Sequence, residues 1–224
     1  MTIGSTQDRA RELARQGQAP IVVVADAQTA GHGRGDREWE SEPGASLLAS
    51  WLVRPAPAEP ALFTLLAGVA VARALTSLGA PEAGLKWPND VHYGGRKVAG
   101  CLAHGTNDDC VIGIGVNVHQ RRFPPRLAER ATSLALAGHD VDRLALLARV
   151  TTELGRVADP AQRDAALAEW RRRSVILGRE CEIQPAGGAP YRARAVELAD
   201  DGALIIETSY GRQRVVAGEV TVVP

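Results

Sequence analysis

The chain has 224 residues, 45% of them apolar and 23% charged. That composition describes an ordinary globular protein of one domain to a domain and a half, and excludes a disordered or fibrous one. Twenty-six basic and twenty-six acidic residues cancel, so no global field draws the chain to nucleic acid or an anionic membrane. The charged N-terminus does not read as a signal peptide, and no apolar run approaches the roughly 18 residues of a membrane span. Three loosely spaced cysteines, Cys101, Cys110 and Cys181, argue against a disulfide framework and for a reducing, cytoplasmic setting.

In chain order, residues 6–18 read as a short amphipathic helix with Thr6 as N-cap and Gly17 as its stop. Pro20 leads into a β-branched run over 21–27, expected to be a buried strand. Residues 31–39 (Gly31-His32-Gly33-Arg34-Gly35-Asp36-Arg37-Glu38-Trp39) lack periodicity and form a loop. A strand is expected over 45–53, a proline-rich linker over 54–60, and an apolar helix over 61–78 capped at Gly79. Residues 84–104 read as two strands around a Tyr93-Gly94-Gly95 turn, and 111–118 as a buried strand. Helices are expected over 140–156 and 160–173. From Ile176 the texture changes to short strands near 180–185, 190–198, 203–208 and 212–223, a small barrel appended to an α+β domain with the boundary near Ser174.

Three segments carry chemical interest. The 31–39 loop does not satisfy G-x-G-x-x-G, because position 36 is Asp36. It does offer glycines for close backbone approach, with Arg34 and Arg37 for anion recognition, against the plain alternative of a solvated loop. The second segment holds the only two lysines, Lys86 and Lys97, against 24 arginines. Lys is a compact point charge where Arg is a planar fork. With Asp90, these lysines are expected to face one pocket. The third is Gly113-Ile114-Gly115-Val116-Asn117, where glycine inside a strand marks close approach and a buried Asn117 needs partners. Cys101, His104 and Cys110 have partly zinc-like spacing but lack a fourth ligand, so no metal site is expected.

Together these segments resemble the biotin protein ligases. The family's glycine-rich adenylate loop corresponds to Gly31–Trp39, preceded by Gln28; K-W-P-N-D matches unchanged at 86–90, R-K-x-A-G at 96–100 and G-[IV]-G-x-N at 113–117. Thr132-Ser133-Leu134 and Gly218-Glu219-Val220 fit as well. The resemblance implies an α+β, mixed-sheet catalytic domain of the biotin/lipoate ligase type over 1–174, and a small SH3-like β-barrel over 175–224. It implies activation of biotin by MgATP to biotinyl-5′-AMP and transfer to one lysine of a biotin carboxyl carrier domain. Lys97 would bridge the biotin carboxylate and α-phosphate, with Arg34 and Arg37 neutralising phosphate charge and Asp90 receiving the acceptor lysine or a metal-bound water. Ser5, Thr6, Gln28, Gly31, His32 and Gly100 would bind biotin. Trp39, Lys86 and Asn117 would serve the adenylate, Trp39 by covering the adenine.

This chain departs from the family at His32 (Arg in many members), Asp36 (usually Gly), Gln7 (Asn) and His104 (Glu), and the strand before Ser5 is almost absent. A carboxylate at Asp36, beside two phosphate-binding arginines, is expected to weaken the loop's hold on the adenylate. No helix-turn-helix precedes the ligase segments, so no DNA-binding role is expected. Relatives are often homodimers, and that association is open here. The alternatives are a non-catalytic biotin or adenylate binder on the same scaffold, and a lipoate ligase.

Overall fold

The structure, a computed structural model, describes residues 1–18, 21–35, 37–105 and 108–223; Pro20 and Asp36 lie outside them. After a two-residue strand β1 (Thr2–Ile3), helix α1 spans Thr6–Arg15. Its N-cap is Ser5, not Thr6: Ser5 keeps an extended backbone, and its hydroxyl accepts from the Gln7 and Asp8 amides. Gly17, at φ +73°, ends the helix.

Six strands then make the main sheet: β2 (Val22–Ala25), β4 (Ser46–Val53), β5 (Gly84–Lys86), β6 (Asp90–Tyr93), β7 (Arg96–Gly105) and β8 (Cys110–Asn117), in spatial order β2-β4-β8-β7-β6-β5. All five ladders are antiparallel, and among the described residues parallel pairing is confined to β1 with β3 (Ala27–Gln28) and to isolated bridges. Two sequence expectations need correction. The 21–27 strand is not buried: β2 is an edge strand whose Val22 and Val24 are exposed, because α1 packs on the other face, with Val23. Residues 84–104 form three strands rather than two, because Trp87, Pro88 and Asn89 turn the chain between β5 and β6.

Strand alternation divides the sheet's faces. Leu47, Ala49 and Trp51 of β4, with Ile112, Ile114 and Val116 of β8, face the same core as helix α2 (Pro60–Ser77), which lies chiefly against β7. This helix is 18 residues long with a mean hydropathy of 1.5, so by length and composition it could cross a membrane. The expectation of no such run is therefore corrected; 72% of that window is buried inside the fold. After α3 (Pro125–Ala128), helices α4 (Arg143–Ala158) and α5 (Arg163–Arg173) cover α2 from outside. On the sheet's opposite face, α1 seals Leu52 and Val111 through Ala10; the rest of that face is the site.

Residues 180–222 form a second, five-stranded antiparallel sheet, β9 (Glu180–Pro185), β10 (Tyr191–Leu198), β11 (Leu204–Thr208), β12 (Gly211–Val215) and β13 (Gly218–Val222), ordered β12-β11-β10-β9-β13. The single strand expected over 212–223 is two. Gly218, at φ +147°, lets the chain leave β12 and run beside β9, where a Cβ would sit 2.6 Å from the Gln184 carbonyl. The two sheets meet through the Trp87 indole, which is buried and donates to the Gly202 carbonyl at 3.0 Å.

Candidate active site

Register on the open face builds a floor with glycines at its centre. Ladder pairing aligns Ser50, Gly113 and Leu102 in one row, Leu48, Gly115 and Gly100 in the next, and Ser46 with Asn117 in a third. The glycines are required by what lies on them. A Cβ at Gly113 would sit 2.6 Å from Gln7, and one at Gly115 would sit 2.5 Å from the Trp39 indole. Above this floor is a cavity of about 740 Å³.

One end of the cavity is polar and belongs to α1. The Gln28 side-chain oxygen accepts from the Thr6 amide at 2.7 Å and the Thr6 hydroxyl at 2.9 Å, and that hydroxyl also meets Ser50 Oγ at 2.8 Å. Gln7 donates from Nε2 to the Leu102 carbonyl at 2.7 Å. Ser5, Thr6, Gln7 and Gln28 all line this end. Gly31 does not; it lets the loop close onto Gln28, whose Nε2 would lie 2.6 Å from a Cβ there. His32 pairs with Asp8 of α1 at 2.8 Å.

Charge gathers in the middle. Lys97 Nζ lies 2.6 Å from Asp90 Oδ1 and 5.5 Å from the centre of the Trp39 ring. Burial pushes the Asp90 carboxyl up, but the Lys97 ammonium and hydrogen bonding from His92 outweigh it and hold the acid well below the usual carboxylate range. Asp90 therefore stays anionic. Burial lowers Lys86 and Arg34 below their ordinary values, so both favour a ligand that brings negative charge. The lysine pair and the carboxylate do share one cavity.

The 31–39 loop crosses this centre, closed on itself by the Gly33 amide to the Arg37 carbonyl at 2.7 Å and the Trp39 amide to the Gly31 carbonyl at 2.8 Å. Arg34 donates to the Gly218 carbonyl and lies 6.0 Å from the centre of the Trp87 ring, and Arg37 pairs with the Glu219 carboxylate. At the far end, Asn117 Nδ2 donates to the Thr132 carbonyl at 3.0 Å, while its Oδ1 is buried with no partner among the described residues. The Trp39 indole N–H is buried in the same condition. The effect expected of Asp36 falls outside the described residues. Cys101, His104 and Cys110 do not converge, and no group of three or more His, Cys, Asp or Glu side chains among the described residues could hold a metal.

Residues 2–119 match the biotin/lipoate A/B protein ligase family, and residues 176–223 match the biotin protein ligase C-terminal domain. The chain belongs to the biotin/lipoate A/B protein ligase family. It is 35% identical over 212 residues to the biotin–[acetyl-CoA-carboxylase] ligase of Mycobacterium tuberculosis, covering 89% of this chain and 78% of that protein. It is 32% identical over 234 residues to the bifunctional ligase/repressor BirA of Bacillus subtilis, covering 97% and 71%. Among solved structures it is similar to the biotin protein ligase from Aquifex aeolicus in complex with biotin and ATP, with a TM-score of 0.83 and 30% identity over 99% of this chain and 96% of that one.

Against this ligase fold, sequence reasoning missed four contributors. Gln7 fills the Gly113 notch, although only its departure from the family's Asn was visible. Glu219 holds Arg37, although it read only as part of a closing strand. Arg130 and Ala131 support Lys97: the Lys97 amide donates to the Arg130 carbonyl at 2.8 Å, and Lys97 bridges Ala131. The earlier signal for that segment was Thr132-Ser133-Leu134.

Proposed function

We propose that this chain is an ATP-dependent biotin protein ligase, which activates biotin as biotinyl-5′-AMP and transfers it to a lysine of a biotin carboxyl carrier domain. The observation that carries the reading is the ordering of one cavity: a polar cage of Ser5, Thr6 and Gln28, a glycine floor, then Lys97 with Arg34, Arg37 and Lys86, then the orphan acceptor of Asn117. Biotin has the same order of parts: a ureido ring that needs hydrogen bonds, an apolar chain, and a carboxylate.

In the first step a biotin carboxylate oxygen attacks the α-phosphorus of MgATP, the bond to the β-phosphate breaks, and pyrophosphate leaves. Charge builds on the phosphate oxygens, and fixed cations stabilise it most where water is excluded. Lys97 bridges carboxylate and α-phosphate and overcomes their repulsion. Arg34 and Arg37 neutralise the phosphates, Arg37 by exchanging Glu219 for the nucleotide, and Lys86 supports the polyphosphate end. Magnesium arrives on the nucleotide and is held chiefly by its phosphates. Asn117 Oδ1 accepts from the adenine amino group, and Trp39, on the adjoining row, covers the adenine.

In the second step the acceptor lysine's neutral ε-nitrogen attacks the acyl carbon, the bond to the AMP phosphate oxygen breaks with its electron pair leaving on AMP, and the nitrogen gives up its proton to water. Asp90 remains ionised, so it serves as an anionic anchor for the incoming amine. Gly100 gives biotin backbone access, Gly31 lets the loop close onto Gln28, and His32 holds the loop over the site by pairing with Asp8. We read residues 1–174 as the catalytic unit and 175–224 as the unit that holds the loop. The alternative of a binder without catalysis has no observation in its favour, because the phosphate-directed cations share one cavity.

The test is incubation with biotin and MgATP, followed by mass spectrometry. Biotinyl-5′-AMP, pyrophosphate and, with a carrier domain added, a biotin-sized mass gain are expected. Biotin-dependent thermal stabilisation without adenylate would defeat the ligase reading.

A further inference from the structure

The transfer step needs a neutral amine, yet a lysine side chain is an ammonium at neutral pH, with an ordinary pKa of about 10.4. Asp90 cannot take that proton, because it is held anionic well below the carboxylate range. The residue two places along β6 can. Strand alternation sends Val91 and Tyr93 into the core and turns Asp90 and His92 to the cavity. His92 is buried, and its Nδ1 lies 3.1 Å from the Gly95 carbonyl. A carbonyl only accepts, so Nδ1 carries the hydrogen and Nε2 keeps its lone pair. Gly94 and Gly95, at φ +53° and +77°, make the turn that brings this carbonyl back onto the ring.

The Nε2 atom is buried, has no hydrogen-bond partner among the described residues, and lies 3.9 Å from Asp90 Oδ2. The other Asp90 oxygen, Oδ1, is occupied by Lys97 Nζ at 2.6 Å. One amine nitrogen can therefore bridge Oδ2 and Nε2 with two hydrogen bonds of ordinary length, about 2.8–3.0 Å each. We infer that His92 is a catalytic residue, the general base of the transfer step, an inference that rests on the proposed ligase reading. Nε2 takes one proton from the acceptor ammonium while Asp90 holds it, and the electron pair of that N–H bond stays on nitrogen for the attack. The second proton leaves for water after the C–N bond forms, and the imidazolium returns its own to solvent. Lys86 on β5, Lys97 on β7, and Glu129 and Arg130 after α3 line the same cavity. Asp90 is the charge that lies 3.9 Å from Nε2, and it stabilises the imidazolium.

The experiment separates the two half-reactions in the full chain. Adenylation is followed as pyrophosphate release from biotin and MgATP. Transfer is followed by mass spectrometry, in a single turnover from preformed biotinyl-5′-AMP to a biotin carboxyl carrier domain. His92→Gln and His92→Ala should both lose transfer far more than adenylation. The ratio of the two rates should fall about a hundredfold, the lower end of the scale for general-base catalysis. Adenylation by the same variant reports whether its cavity is intact, so a general loss of stability cancels in the ratio.

Two readouts exclude a merely structural role. Free imidazole should restore transfer in His92→Ala without raising adenylation. The deficit of either variant should shrink as pH rises towards the acceptor lysine's own ionisation, because an amine already neutral needs no base. A ratio equal to that of the wild type, or a deficit that neither imidazole nor alkaline pH relieves, overturns the assignment. A wild type that binds biotin but neither forms nor uses the adenylate overturns the ligase reading, and the role of His92 with it. Normal wild-type half-reactions beside an unaffected variant overturn the role of His92 alone.

Discussion

The floor and the loop of this site are built on opposite principles. The floor is backbone: Gly113, Gly115 and Gly100 are placed by ladder pairing among β4, β8 and β7, with buried residues of the core behind them. The 31–39 loop is held by two internal backbone hydrogen bonds and by long side chains reaching other elements: His32 to Asp8, Arg34 to Gly218, Arg37 to Glu219. Moving the floor means breaking a sheet, whereas moving the loop means exchanging partners. A ligase that binds a small rigid acid and then gathers a flexible polyphosphate is well served by this division. The part that selects is stiff, and the part that neutralises charge is exchangeable.

Variants that break the division most sharply should have the largest effects. Lys97→Ala should lower biotinyl-5′-AMP formation by on the order of a hundredfold or more, the scale for losing a preorganised charge in a site, measured as pyrophosphate release. It also strips Asp90 of its counter-ion, so the melting temperature should fall. The double variant Lys97→Ala/Asp90→Asn should recover much of that temperature and stay inactive, separating chemistry from folding.

Gly115→Ala attacks the floor. Its Cβ would meet the Trp39 indole at 2.5 Å, and the expected result in steady-state assays is a KM for biotin raised about tenfold, the scale of a single methyl misfit.

The Asp90–Lys97 pair predicts a pH signature. A carboxyl whose folded pKa is depressed contributes stability above its unfolded pKa and loses it as pH falls through the folded one. The melting-temperature gap between wild type and Asp90→Asn should hold from neutral pH to about pH 5, the region above the unfolded carboxylate range. It should then close below about pH 4, as checked by calorimetry across that range.

The smallest effect belongs to Glu219→Gln. Both members of the Arg37–Glu219 pair are substantially exposed, at 58% and 43%, and such pairs add at most about 1 kcal/mol to stability. The melting temperature should hardly move, while KM for ATP changes in a salt-dependent way.

What could be read in advance follows the same contrast. K-W-P-N-D, R-K-x-A-G and G-x-G-x-N are contiguous, and a strand's period of two carries Gly113, Gly115 and Asn117 to one face without further information. The polar end was legible only in part. Thr6 and Gln28 were visible through the resemblance, whereas Gln7 on an amphipathic helix reads as one more polar residue until Gly113 is known to lie beneath it. The partner of Arg37 is 182 residues away, and no local pattern reports it. The sequence of 84–104 reads as two strands although the chain forms three, because the intervening turn, Trp87-Pro88-Asn89, contains no glycine. Trp87 is itself tied to the second sheet through Gly202.

The most direct measurement is a crystal structure with biotin and a non-hydrolysable ATP analogue, superposed on the unliganded protein through β4, β7 and β8. The glycine rows should superpose within error, Arg37 should have left Glu219 for a phosphate oxygen, and the biotin carboxylate should lie within hydrogen-bond distance of Lys97 Nζ. A ligand that spreads the floor while Arg37 stays on Glu219 would contradict the account.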